Sequence, residues 1–183
     1  MRRRDLLVLL ASTPMSRAFS QVGDRIRKLA VLLPLPESDP EFQANVRALK
    51  QALHHHGWIE GRNIELSVRS AGSGSEKIRH AARATLAEQP DVILARSTAV
   101  VLGVKQEVTR IPVVFIQVSD PVGQNIVQSL AHPGGNLTGS TNLEPDLGGK
   151  WLEILKEIDP SIQKIALLSN MDTSPISGDI LQR

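Results

Sequence analysis

Short apolar runs alternate with amphipathic stretches along nearly the whole chain, and few architectures accommodate that rhythm. Residues 29–33 are continuously apolar, too short for a helix, and closed by Pro34 and Pro36, so they read as a buried strand. Ser38, Asp39 and Pro40 then supply a helix start, with Glu41 suited to the N-terminal dipole. Phe42, Val46, Leu49 and Leu53 keep helical spacing, and Gly57 is a natural stop. Residues 64–68 alternate apolar and polar, as a half-exposed strand does. The segment 73–76 offers N-cap chemistry for a helix carrying Ile78, Ala82 and Leu86, and residues 92–95 form the next buried strand.

The alternation continues to the C-terminal side. Ser97 or Thr98 caps a helix through Val101, Val104 and Val108, and residues 112–116 are strand-like. Asp120 and Pro121 are expected to open a short helix ending near Leu130. Residues 132–136 form a turn, and Leu137 and Thr138 a short strand. A helix is expected from about Pro145 to Ile158, with Trp151, Ile154, Leu155 and Ile158 at core spacing. Residues 165–168 read as a further strand, and 176–181 as the start of another helix. Strands alternating with helices of this length imply an α/β fold, a parallel sheet with right-handed crossovers and helices on both faces. Ligands bind such sheets beyond the carboxyl ends of the strands. Those ends are residues 34–40, 96–99, 117–121 and 170–173.

The charge of the chain has a local origin. The 183 residues carry 21 basic and 19 acidic groups, a formal net charge of +2, and no cysteine or tyrosine. Arg2, Arg3 and Arg4, a short apolar run to Ala11, and the small residues Ala18 and Ser20 read as an export signal over residues 1–20, cleaved after Ser20. The apolar run is far shorter than the roughly 18–20 residues that span a bilayer. The segment 1–20 holds four arginines and one aspartate, so without it 17 basic and 18 acidic residues remain, a net charge of −1. The basic excess therefore belongs to the expected address, and a nucleic-acid footprint disappears with it. The lack of cysteine excludes a disulfide scaffold, a thiolate metal site and a cysteine nucleophile. Gln21 in place of Cys after the cleavage site leaves no lipid-anchor expectation.

Chemistry-bearing residues concentrate at the strand ends. Ser97 and Thr98 lie between a buried strand and a helix start, where hydroxyls and free backbone N–H groups hold a carboxylate or serve as plain caps. Ser119 and Asp120 face the same choice between capping and a cleft-facing role, as do Ser38 and Asp39. Three consecutive histidines, His54, His55 and His56, point about 100° apart on a helix and cannot converge on one ion. The stretch 72–75 lacks the Lys-Ser/Thr of a phosphate loop and reads as a turn. No assembled nucleophile–base set, metal cluster or cofactor fingerprint emerges. That favours holding a ligand over transforming it.

The linear strings around these positions carry a family resemblance. Residues 57–63, then 111–115, 120–122, 127–130 and the Pro-Gly-Gly-Asn-Leu-Thr-Gly run at 133–139 resemble exported ABC-transporter substrate-binding proteins. The group is the one that includes tryptophan- and tyrosine-binding members. Residues 149–155 and 164–168 are similar to its entry into a second lobe, and the Met-Arg-Arg-Arg-Asp start to its export signal. The resemblance implies a type I periplasmic-binding-protein fold whose two lobes clamp a small, amino-acid-like ligand. It also implies a periplasmic location, a membrane permease as partner, no cofactor and no enzymatic activity. The matching cleft positions are Leu35, Pro36, Ser97, Thr98, Ser119, Asp120 and, from the second lobe, Asn170. Ser97 and Thr98 would take a ligand carboxylate, and Asp120 would be polar support.

The sequence departs from the family pattern in three places. Asn125 stands where Gly is usual, Met171 follows Asn170 where Pro is usual, and the chain is short for a two-lobed protein of roughly twice 150 residues. The expected division is a signal over 1–20, an N-terminal ligand-binding lobe over 21–142, and the truncated beginning of a second lobe over 143–183. Two other functional classes share the architecture. A ligand-sensing domain of a regulator would use the same cleft but needs an output module. A small α/β enzyme needs an acid–base set, for which only Asp120 and His132 are at hand.

Overall fold

The computed structural model describes residues 25–143 and 147–166. Nine elements follow in the order β1 (Arg27–Leu33), α1 (Pro40–His55), β2 (Ile64–Ser70), α2 (Ser75–Ala87), β3 (Val92–Arg96), α3 (Thr98–Glu107), β4 (Val113–Ser119), β5 (Leu137–Leu143) and α4 (Leu147–Ile158). The five strands form one parallel sheet in the order β2-β1-β3-β4-β5. The chain therefore winds outward one way to β2 and then the other way to β5, reversing between β1 and β3.

Alternate residues of each strand point to opposite faces, and that period divides the core in two. Ala30 and Leu32 of β1, Ile93 and Ala95 of β3, and Val113, Phe115 and Val118 of β4 pack with Ile78, Ala82, Val100, Val101 and Val104 of α2 and α3. Val31 and Leu33 turn to the other face and meet Phe42 of α1, with Val46, Leu49, Val68 and Leu94 around them. Each fully buried aliphatic side chain contributes roughly 1.5–3 kcal/mol. An ion pair on the surface joins α2 to α3. Arg83 Nη2 lies 3.0 Å from Glu107 Oε1, and the hydrogen bond from Arg83 holds the Glu107 carboxyl below its ordinary range.

Several local expectations need correction. The helix expected from Asp120 is a closed turn instead. Ile126 N donates to Pro121 O at 2.8 Å and Gln124 N to Asp120 O at 2.9 Å, but Asn125 at φ 54° ends the helical path. Asn tolerates the left-handed region better than other non-glycine residues, which explains how it stands in for Gly there. Ile126 and Val127 remain buried in the α2–α3 core, so this turn covers the sheet where a helix was expected. The two-residue strand expected at Leu137 is the seven-residue β5. The cap of α2 is Gly74 at φ 90°, with no side-chain cap bond, rather than a serine hydroxyl.

The largest difference concerns α4. Trp151, Ile154, Leu155 and Ile158 have the expected helical spacing, yet they are exposed, Ile158 by 75%, and no residue of α4 is buried. Periodicity identifies the face a helix would cover, not whether a covering layer lies among the described residues. Ile165 and Ala166 carry no strand. The rest of that expected strand, the helix at 176–181, Asn170 and Met171, and the export signal over 1–20 with Gln21 lie outside the described residues.

Candidate functional site

At the reversal point between β1 and β3 the loops leaving adjacent strands diverge, one towards each face of the sheet, and leave a crevice. Here it is a cleft of about 220 Å³ lined by Pro34, Leu35, Glu41, Arg96, Ser97, Thr98, Gln117, Ser119 and Asn142. Every strand from β1 to β5 except the edge strand β2 sends a carboxyl end to it.

The backbone around the cleft is held in unusual conformations. Ser97, the N-cap of α3, lies at φ 81°, ψ 151°, a region that essentially only Gly occupies freely. Its Oγ accepts from Val100 N at 3.5 Å, a long contact, while its own N–H donates to Ile116 O at 3.1 Å. Gln117 is at φ 54°, where the β4–β5 register breaks between Phe115 and Val118, and Asp120 is at φ 46°. Strain of this kind costs of order 1–3 kcal/mol per residue and persists where surrounding structure enforces it. Ser97→Gly is accordingly expected to raise stability by about 1 kcal/mol, since a Ser-to-Gly change at a cap loses only a few tenths. Urea unfolding of the two proteins checks this; an unchanged or lower midpoint would show that Ser97 is unstrained.

The expected site residues divide. Leu35, Ser97, Thr98 and Ser119 line the cleft together. Thr98 is buried, and its Oγ1 accepts from Ser119 N at 3.0 Å, tying the start of α3 to the end of β4. Ser119 Oγ is 3.4 Å from Asn142 Oδ1. Asp120 is not among the lining residues; it is 9% exposed, with Oδ1 accepting from Gly123 N at 2.9 Å, so it fixes the turn after β4. Pro36 lines a separate depression of about 740 Å³ beside Arg69, Lys77 and His80. Ser38 is exposed, and Asp39 caps α1 by accepting from Glu41 N at 2.7 Å. His132 is exposed in a turn, where its N–H meets Ser129 Oγ, and does not line the cleft.

Four polar cleft residues were not singled out in the sequence as lining the cleft, Glu41, Arg96, Gln117 and Asn142, although Arg96 and Gln117 fall at the strand ends it marked. Arg96 ends an otherwise apolar buried strand, and that misplaced charge was the available signal. Its Nη2 lies 2.6 Å from Glu41 Oε1, and its Nε donates to Gln117 Oε1. No group of three or more His, Cys, Asp or Glu side chains that could hold a metal occurs among the described residues. The cleft thus offers hydroxyls, amides and one ion pair. It can orient and hold a small polar molecule.

Comparisons with known proteins bear on the family and the fold. Residues 28–176 match the family described as "ABC transporter substrate binding protein". A curated relative, the tyrosine-binding protein of Clostridioides difficile (strain R20291), is 29% identical over 142 residues, which is 77% of this chain and 40% of the relative. A conserved domain protein from Vibrio cholerae O1 biovar El Tor has a solved structure with 31% identity and a TM-score of 0.64, covering 75% of this chain and 45% of that one. A Streptococcus pneumoniae domain solved in complex with L-Trp, 22% identical, has a TM-score of 0.63 over 76% of this chain and 45% of its own, and shows the shared fold alone. This chain thus spans less than half the length of each of these proteins.

Proposed function

This chain belongs to the ABC transporter substrate binding protein family, and from that premise we propose that it serves an uptake transporter by holding an amino-acid-like solute in the strand-end cleft. In this reading Ser97 and Thr98 take the ligand carboxylate, Leu35 and Ser119 line the pocket, Asp120 braces it, and Asn170 contributes from a second lobe. Pro36 marks the outer edge of the loop after β1. The protein would work outside the cytoplasmic membrane, exported by residues 1–20, and would pass its solute to a membrane permease. In this reading the N-terminal lobe runs over 21–142 and a second lobe begins at 143.

One observation carries the reading. The cleft sits at the carboxyl ends of parallel strands at the reversal point, and its polar lining contains no adjacent nucleophile and base. A pocket with convergent hydroxyl, amide and charged groups orients a ligand without attacking it. Half of the clamp in a two-lobed protein comes from the opposite lobe, so the surface described here is expected to bind weakly, in the millimolar range (about −4 kcal/mol). The test is a titration of the ¹⁵N-labelled chain with the twenty amino acids, followed by amide shifts. Saturable shifts confined to 34–41, 96–98, 117–119 and 142 are expected for some of them. No such shift with any amino acid would overturn the proposal.

A further inference from the structure

Among the described helices, α4 alone has no buried residue. Its large apolar side chains Trp151, Leu152, Ile154, Leu155 and Ile158 are exposed by between 37% and 75%. Single exposed apolar residues are ordinary, but a run of them on one short helix makes a patch, and such patches mark interaction surfaces. The order of residues within the patch is specific. At about 100° per residue, Leu147, Trp151, Ile154 and Ile158 fall in one narrow seam with the 4-3-4 spacing of a coiled-coil core. Lys150 and Glu157, one heptad apart, run along one border of that seam, and Gly148 and Leu155 along the other. Glu153 and Lys156 lie on the opposite side of the helix. Neither Lys150 nor Glu157 has an ion-pair partner among the described residues.

We propose that α4 pairs antiparallel with α4 of a second copy of this chain, across a two-fold axis, as the interface of a homodimer. In that arrangement each border of the seam meets the same border of the other helix. With Trp151 opposite Ile154 of the second copy, and Leu147 opposite its Ile158, Lys150 falls opposite its Glu157. Symmetry repeats the contact, so two identical ion pairs close one side. On the other side Leu155 packs over Gly148 of the second copy, where the missing side chain leaves room for it. A parallel pair would instead set Lys150 and Glu157 against the Gly148–Leu155 border, charge against apolar surface. The charge pattern thus selects both the orientation and the occupant, a helix of the same sequence. The seam is only about 18 Å long, far short of a full-sized interface, so the dimer is expected to be weak, with a Kd of roughly 10–100 μM. No residue of α4 lines the strand-end cleft, so this proposal stands or falls separately from the ligand reading.

Sedimentation velocity of the full chain across roughly 1–500 μM tests it, with a monomer–dimer transition expected within that range. Lys150→Glu or Glu157→Lys alone should weaken the dimer roughly five- to tenfold, because each turns two attractive pairs into two repulsive ones; the double exchange should restore it. Leu147→Cys and Ile158→Cys chains, mixed and oxidised, should cross-link with each other and not with themselves, and the natural chain has no cysteine to interfere. Because α4 buries nothing in the lobe, these substitutions should leave the urea midpoint of the sheet unchanged, which separates lost pairing from lost folding. A monomer at every concentration would overturn the proposal; protected amides along 147–158 in that monomer would assign the cover to this chain's own remaining residues. A dimer indifferent to both charge reversals, or cysteines that link like to like, would overturn it as well, placing the contact elsewhere or in the parallel sense. Should either charge variant fail to fold, the concentration series and the cross-linking pair decide.

Discussion

Phe115→Ala is expected to lower the unfolding free energy by about 3–5 kcal/mol, the largest loss of any single truncation in the sheet. Phe115 is 2% exposed and stands in the middle of a row set by the strand register, between Ala95 on β3 and Gly139 on β5. In-register neighbours of a parallel sheet share a face, so one large ring lies between two residues with almost no side chain of their own. That small-large-small row lets the ring fill the space beneath α3 and the turn after β4. Truncation leaves Ala, Ala and Gly in line, so neither in-register neighbour can fill the void, and the cost of a cavity grows with the volume that cannot collapse. A domain of this size is stable by only about 5–15 kcal/mol, so the loss is a sizeable fraction of the total. Denaturant unfolding with intrinsic fluorescence measures it; a loss below about 1 kcal/mol would mean the ring is not packed as described.

Gly139→Ala is the second large effect, expected at the upper end of the roughly 1–3 kcal/mol typical of overpacking. A Cβ at position 139 would lie 1.9 Å from the carbonyl oxygen of Phe115 and 2.6 Å from its ring carbon Cδ2. The nearest obstacle is backbone, and backbone cannot turn aside as the tip of a side chain can. Either β5 separates from β4 or the register beyond the Phe115–Val118 break is lost. Both outcomes withdraw Asn142 from the cleft. Amide exchange is therefore expected to rise along residues 137–143 while the amides of β1 and β3 stay protected. Combining Gly139→Ala with Phe115→Leu separates the two contacts: the double variant should stay destabilised, because the carbonyl remains. Full protection of β5 in Gly139→Ala would refute the close approach.

The two variants also show where sequence reading works and where it stops. The residues at 29–33, 64–68, 92–95 and 112–116 announced their strands because each apolar or alternating run is local and bounded by Pro, Gly or a cap, so composition and period suffice. Ser97 was found for the same reason, as a hydroxyl between a buried strand and a helix. The turn at 120–127 was misread because its Asp-Pro start is also a helix start, and only the left-handed Asn125 ends it. Glu41 was credited to the helix dipole alone, since its partner Arg96 is 55 residues away in the chain.

By itself, then, the sequence determined the alternation of elements and the α/β class, because these depend on spacings within a dozen residues. It also carried the family, through strings such as 133–139. Only the tertiary structure decided which strand ends meet at the cleft, that Asp120 holds its own turn while Arg96 and Glu41 face one another, and that α4 has no cover for its apolar face among the described residues. Those outcomes depend on strand order and register, which place distant residues side by side. A period along the chain says which way a side chain points, and the fold alone says what it meets.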